Sequence, residues 1–183
     1  MSRIGVYLAE GFEEIEAVSI IDVLRRAELD VITISVTGNI EVTGAHQIKL
    51  VADFLFEEVD HNTIDMIVLP GGMPGARNLN NHDELKNLIL QFNDSEKPLG
   101  AICAAPLVFG QLGILKNKKV TCFPGYEEFL IGSEITNSEA VVVSNHIITG
   151  KGAGVAIKFA LKIVERFKGK VVADELAARM IVL

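Results

Sequence analysis

Short apolar runs bounded by turn residues alternate along this chain with longer stretches whose apolar residues recur every three or four positions. Such alternation predicts strands followed by helices. Residues 4–8 form a run without charge, as expected of a strand buried on both faces. Gly11 breaks it. From about Glu13 to Arg26 the spacing turns helical, with Ile15, Val18, Ile21 (or Val23) and Leu24 marking the expected buried face. Acidic residues lead this segment and Arg25 and Arg26 close it, which suits the helix dipole at both ends. Residues 29–36 are rich in β-branched side chains and predict a second strand. Residues 37–53, with turn signals at Gly38-Asn39 and Gly44, predict a hairpin or a pair of short edge strands.

The alternation continues to the end of the chain. Residues 65–69 predict a buried strand, stopped by Pro70-Gly71-Gly72, and a helix follows over about 83–92. Residues 99–102 predict a strand that runs into Cys103-Ala104-Ala105-Pro106 and an apolar helix to about 112. A further strand is expected at 119–122, and a hairpin from 140–143 and 147–149. The last long helix spans about 154–167, with Val155, Phe159, Ile163, Val164 and Phe167 on one face, and a short helix lies around 171–178. No repeat, linker or low-complexity tract interrupts the pattern, so residues 1–183 are read as one domain.

The fold class is therefore α/β, with a mostly parallel sheet covered on both faces. Right-handed crossovers bring the carboxyl ends of parallel strands to one edge, where ligands bind in such folds. The loops after Leu8, Leu69 and Ile102 should converge there.

Charge narrows the partners. The 17 basic and 24 acidic residues leave a net charge of −7. No basic cluster stands out, so a nucleic-acid partner is not expected. The first apolar stretch is about six residues long before glutamates interrupt it, too short for a membrane span or a secretory leader. A cytoplasmic location without a membrane partner is expected. Two cysteines are too few for a disulfide framework and lack metal-site spacing, so free thiols and no metal are expected.

Three segments carry candidate chemistry. Cys103 lies at a strand-to-helix turn built from small residues, similar to a nucleophile elbow, where unpaired amides and the helix dipole should lower the thiol pKa. A free cysteine also serves as a small buried hydrophobe, and position alone admits both readings. Gly71 and Gly72 allow backbone conformations that turn amides toward a ligand, so Gly72 and Ala104 are candidates for an oxyanion hole. Glu16 lies one helical turn in among apolar neighbours. Half-buried, it would have a raised pKa, acting as a donor to sulfur when protonated or as a base when ionised; on a solvated face it would do neither. Glu13 and Glu14 read as first-turn charges, and Cys122 as structural. His46, His61, His82 and His146 fall in loop-like or polar settings, and none pairs with Cys103 by spacing.

Together, Ala101-Ile102-Cys103-Ala104-Ala105-Pro106, Val68-Leu69-Pro70-Gly71-Gly72 and Glu13-Glu14-Ile15-Glu16 resemble the ThiJ/PfpI superfamily, in the branch of the Parkinson-disease-associated deglycase and chaperone. The likeness extends to Asp22-Val23-Leu24-Arg25-Arg26-Ala27 and Gly150-Lys151-Gly152-Ala153-Gly154. The resemblance implies a flavodoxin-like three-layer sandwich similar to class I glutamine amidotransferases, and a homodimer. It implies a nucleophilic, oxidation-sensitive Cys103, a protonated Glu16, oxyanion-binding amides at Gly72 and Ala104, and a pocket involving Gly71 and Arg26. The implied activities use no cofactor: a glyoxalase acting on methylglyoxal-type small carbonyls, a deglycase of glycated proteins, or a redox-regulated chaperone. The peptidase branch places a histidine directly after its cysteine, where this chain has Ala104. A histidine of some deglycase-branch members corresponds to Phe123, and a second pocket arginine to His46. Acid–base steps then fall on Glu16 or on water.

Overall fold

The computed structural model describes residues 2–182. Its first strand, β1 (Arg3–Leu8), leads into helix α1 (Glu14–Arg26) and strand β2 (Asp30–Ser35). Strands β3 (Glu41–Thr43) and β4 (Lys49–Val51) pair antiparallel as the expected small hairpin, and β5 (Phe54–Leu55) is a two-residue edge strand. Next come β6 (Met66–Leu69), α2 (Gly75–Asn80), α3 (Asp83–Asp94), β7 (Leu99–Ile102) and α4 (Pro106–Gln111). The chain ends with β8 (Lys119–Val120), β9 (Glu134–Ile135), β10 (Val141–Ser144), β11 (Ile147–Gly150), α5 (Ala156–Lys168) and α6 (Lys170–Arg179).

Seven strands make the central sheet in the order β10-β11-β7-β6-β1-β2-β5, and only the β10–β11 pair is antiparallel. Alternate residues feed two cores. Tyr7, Ile67 and Leu69 face α2, α3 and α4, while Val6, Leu8, Met66 and Val68 face α1, α5 and α6. From β1 the chain builds outward through β2 on one side and through β6 and β7 on the other. The reversal opens a crevice at the carboxyl ends of β1 and β6, where side chains can reach a ligand. The loops that follow these strands are tied together: Glu13 N–H donates to Gly71 O at 2.9 Å and Gly75 N–H to Gly11 O at 3.1 Å.

Two expectations are corrected. The strand at 119–122 stops at Val120 and pairs with β9 in a separate two-stranded sheet; Thr121 turns its N–H to Thr149 Oγ1 at 3.0 Å instead. The buried face of α1 consists of Glu14, Glu16, Ala17, Ile20, Val23 and Leu24, whereas Ile15 is 59% and Val18 46% exposed. This helix carries apolar residues on two faces, and their spacing does not say which one meets the sheet. No described helix is long and apolar enough to cross a membrane.

Candidate functional site

Cys103 is the first residue after β7, and its φ is +63°, a left-handed conformation that side chains rarely adopt. It costs about 1–2 kcal/mol and persists because neighbours hold both ends of the residue. The Cys103 N–H donates to Gly150 O at 2.9 Å, and its carbonyl accepts from Phe123 N–H at 2.8 Å. The side chain is thereby turned off the strand end, half-buried.

Glu16 comes to it from α1 and is fully buried. Its backbone N–H is capped by the Glu13 carboxylate at 2.7 Å, so Glu13 acts as the N-cap. One carboxyl oxygen, Oε2, accepts the Gly71 N–H at 2.7 Å, and the carboxyl group is hydrogen-bonded to the Cys103 thiol. Oε1 is buried with no partner of its own among the described residues. Ionised, that oxygen would carry charge without a donor, which favours the acid form. Burial pushes the Glu16 pKa up to about 7, against the opposing pull of the Gly71 amide and the thiol.

The thiol itself departs from expectation. Burial first, then the Glu16 carboxylate, push Cys103 up to about 12, and the Gly72 and Ala104 amides that hydrogen-bond the sulfur reverse only part of this. The expected lowering at a helix start does not occur: α4 is six residues long, and a carboxyl group touches the sulfur. The two groups therefore behave as one acid pair. Between its two ionisations the pair holds one proton, as carboxylate with thiol or as carboxylic acid with thiolate.

Gly71 lies between them. A Cβ there would sit 2.6 Å from Cys103 Cβ and 2.8 Å from both Glu16 Oε2 and Ile102 O. Gly72 has φ +91°, and among the described residues neither its N–H nor that of Ala104 donates to a backbone carbonyl. The structure thus gathers Cys103, Glu16, Gly71, Gly72 and Ala104 at one edge.

Arg26 is not among them. It lies ten residues along α1 from Glu16, about 15 Å at 1.5 Å per residue, and is paired with Asp22 on the surface. Within one chain it does not line the Cys103 pocket. The histidines are also elsewhere. His46 Nδ1 pairs with Glu14 Oε2 at 2.9 Å, and His82 caps α3. His61 and His146 are less polar in setting than expected: His61 bonds Tyr7 Oη at 3.0 Å against Phe56, and His146, buried, bonds Asn93 at 3.1 Å. Glu14 is likewise buried rather than a solvated first-turn charge. It accepts the His46 and Ile48 amides and so fastens the β3–β4 turn to α1. Glu13, Glu14 and His46 bring three possible metal ligands within 4.8 Å, but those hydrogen bonds already occupy Glu14. Cys122 is buried, as expected of a structural cysteine.

Sequence reasoning missed Gly150 and Phe123, whose backbones fix Cys103, and Glu13 as cap. The spacing of Glu13 three residues before Glu16 was the available signal for the last.

Comparison with known proteins gives concordant results. Residues 2–166 match the model of the DJ-1/PfpI family. Arabidopsis thaliana Protein DJ-1 homolog B is 43% identical over 173 residues, 92% of this chain and 38% of the relative; homolog A matches over 46% of its own length. The chain thus spans less than half of these two relatives. Caenorhabditis elegans Glutathione-independent glyoxalase DJR-1.2 is 35% identical over 87% of this chain and 85% of its own. The structure of oxidized Toxoplasma gondii DJ-1 superposes with a TM-score of 0.94 at 35% identity, covering 99% of this chain and 98% of the other. The fold is the flavodoxin-like sandwich of class I glutamine amidotransferase-like proteins.

Proposed function

The chain belongs to the DJ-1/PfpI family, and from that premise we propose that it is a glyoxalase that converts 2-oxoaldehydes of the methylglyoxal type to 2-hydroxy acids with its own side chains and backbone. The observation that carries the reading is the Glu16 carboxyl group hydrogen-bonded to the Cys103 thiol and oriented by the Gly71 amide.

In its acid–thiolate form the pair presents a nucleophile. The Cys103 sulfur attacks the aldehyde carbon, forming a C–S bond and moving the carbonyl electron pair to oxygen. The Gly72 and Ala104 amides, free of carbonyl partners, follow that charge from sulfur to the oxyanion. Glu16 gives its proton to the oxyanion and then, as carboxylate, takes the proton from the same carbon. Returned to the adjacent carbon, while the hydroxyl proton passes through Glu16 or water from the first oxygen to the second, that proton leaves a 2-hydroxy thioester. Water hydrolyses the thioester, releasing the hydroxy acid and restoring the thiol. The sum is one oxoaldehyde plus one water to one hydroxy acid. Adducts of such aldehydes with protein amines or thiols, which release the free carbonyl, make deglycation the same chemistry on a larger substrate.

A second reading, redox sensing, is favoured by the same two amides. Peroxide converts the thiol to a sulfenic acid and then, with a second peroxide, to a sulfinate whose oxygens these donors and protonated Glu16 hold. Peptidase action has the least support, because no histidine hydrogen-bonds or shifts Cys103.

The assay is lactate formation from methylglyoxal. Cys103→Ala is expected to abolish it, and Glu16→Gln to lower kcat by about 100-fold or more. Full activity in Cys103→Ala would refute the glyoxalase reading.

The protein is further read as a homodimer. Val18, Ile21, Leu50 and Val51 line a surface cavity of about 260 Å3 on α1 and β4, together with the polar Asp22, Arg25, Thr33 and Asp53, and Ile15 of α1 is exposed as well. A second copy is the occupant that would bury the exposed Ile15, Val18 and Val51.

A further inference from the structure

A cavity of about 360 Å3 is lined by residues of the two segments that flank the Cys103 sulfur, though not by Cys103 or Glu16, and takes no part in the steps above. Met73, the residue after Gly72, lines it, as does Leu107, whose N–H bonds the Ala104 carbonyl at 3.1 Å. Both belong to the segments that aim amides at the sulfur. Tyr126 and Phe129 give it aromatic walls, with ring centroids 6.1 Å apart. Tyr126 also meets Phe123 edge-on at 6.4 Å, and the Phe123 N–H is the donor on the Cys103 carbonyl. A run of three aromatic rings therefore leads from the nucleophile's backbone to the cavity.

The remaining wall is polar. Arg77 of α2 lines it and makes no ion pair among the described residues. Asn80 Nδ2 donates to Gln111 Oε1 at 2.8 Å, joining α2 to α4 at the cavity. Glu127, on the same turn as Tyr126, has its carboxylate engaged by the Gly125 amide at 2.7 Å. Apolar and aromatic walls with one unpaired cation, at this volume, suit a small organic anion.

We propose that this cavity is the subsite for the non-reacting end of the carbonyl substrate, and that it selects a flat or apolar group ending in a carboxylate-like anion. The proposal rests on the glyoxalase reading of Cys103 and specifies the substituent on the oxoaldehyde. With the aldehyde carbon at the sulfur, that substituent passes between Met73 and Leu107. Its body lies against Tyr126 and Phe129, and its anion meets the Arg77 guanidinium, whose planar fork matches a carboxylate. The methyl group of methylglyoxal is close to a water molecule in size, roughly 30 Å3, and would leave the cavity almost empty.

Two arms test this. In the binding arm, Cys103→Ala protein is titrated with the unreactive probes 4-acetylbenzoate and acetophenone. The acid is expected to bind about tenfold more tightly than the neutral ketone, and adding Arg77→Gln to remove that difference. In the kinetic arm, the ratio of kcat/KM for 4-carboxyphenylglyoxal over phenylglyoxal should fall about tenfold in Arg77→Gln. Arg77 is exposed, so its replacement leaves the fold intact; Tyr126→Ala, which should weaken both probes, is the second variant. Equal binding of the two probes, or a difference that survives Arg77→Gln, overturns the subsite. If the native protein turns over neither glyoxal while the probes still differ, the glyoxalase reading falls and the anion subsite stands.

Discussion

Gly71 shows how little room the site leaves at the scale of one residue. Its missing side chain lets a thiol and a carboxyl group meet across a backbone amide that also orients the acid. A methyl group there would overlap Cys103 Cβ, Glu16 Oε2 and a backbone carbonyl, none of which is the loose end of a flexible chain. Gly71→Ala is expected to cost about 1–3 kcal/mol in stability by denaturant titration and to abolish turnover. Unchanged stability and activity would mean that the contact relaxes without effect. Cys103, Gly71, Gly72 and Ala104 were legible as candidates because small residues and turn signals mark strand ends. Glu16, on a helix, stood out only through its apolar neighbours and the family resemblance, since its spacing fits a solvated face. The direction of the thiol's pKa was not legible, because the nearby carboxyl group belongs to an element 87 residues away.

At the scale of elements, α1 has two roles. Its inner face packs Ala17, Ile20, Val23 and Leu24 on the sheet and delivers Glu16 to the edge; its outer face leaves Ile15 and Val18 in solvent. Apolar spacing identified a helix and placed Val23 and Leu24 correctly on its buried face but Ile15 and Val18 wrongly, since both faces carry large apolar residues. If the outer face is a subunit contact, Val18→Asp is expected to convert a dimer to a monomer in sedimentation experiments without altering the far-UV circular dichroism. A native protein that sediments as a monomer would remove that reading. The helix α2 escaped the sequence because six residues ending in Arg-Asn-Leu-Asn carry too little period, and β5 because two residues carry none. Strands β1, β6 and β7 were legible as apolar runs because each is buried almost entirely along its length.

For the whole molecule, the sheet order creates the crevice and burial sets its electrostatics. The overall α/β arrangement was readable from alternation alone, whereas the position of the switch between β1 and β6 depends on strand order, which local pattern does not encode. Placing Glu16 in that crevice also links the site to stability. Its pKa rises from 4.5 to about 7 on folding. The protonated acid thus favours the folded state; this contribution is complete below about pH 4.5 and is lost as pH rises through about 7. It amounts to roughly 3 kcal/mol. Between pH 5 and 8, Glu16→Gln should therefore lose less stability than the native protein in thermal unfolding, and parallel curves would contradict a buried, proton-binding Glu16.

The shared proton is tested most directly by the pH dependence of Cys103 alkylation, followed by intact mass in the native protein and in Glu16→Gln. Native alkylation is predicted to rise in a small step near pH 7, where the pair loses its first proton and the minor acid–thiolate form appears, and in a larger one near pH 12, and Glu16→Gln to remove the first step. A single step near the value of an ordinary cysteine, at the same pH in both proteins, would contradict the account.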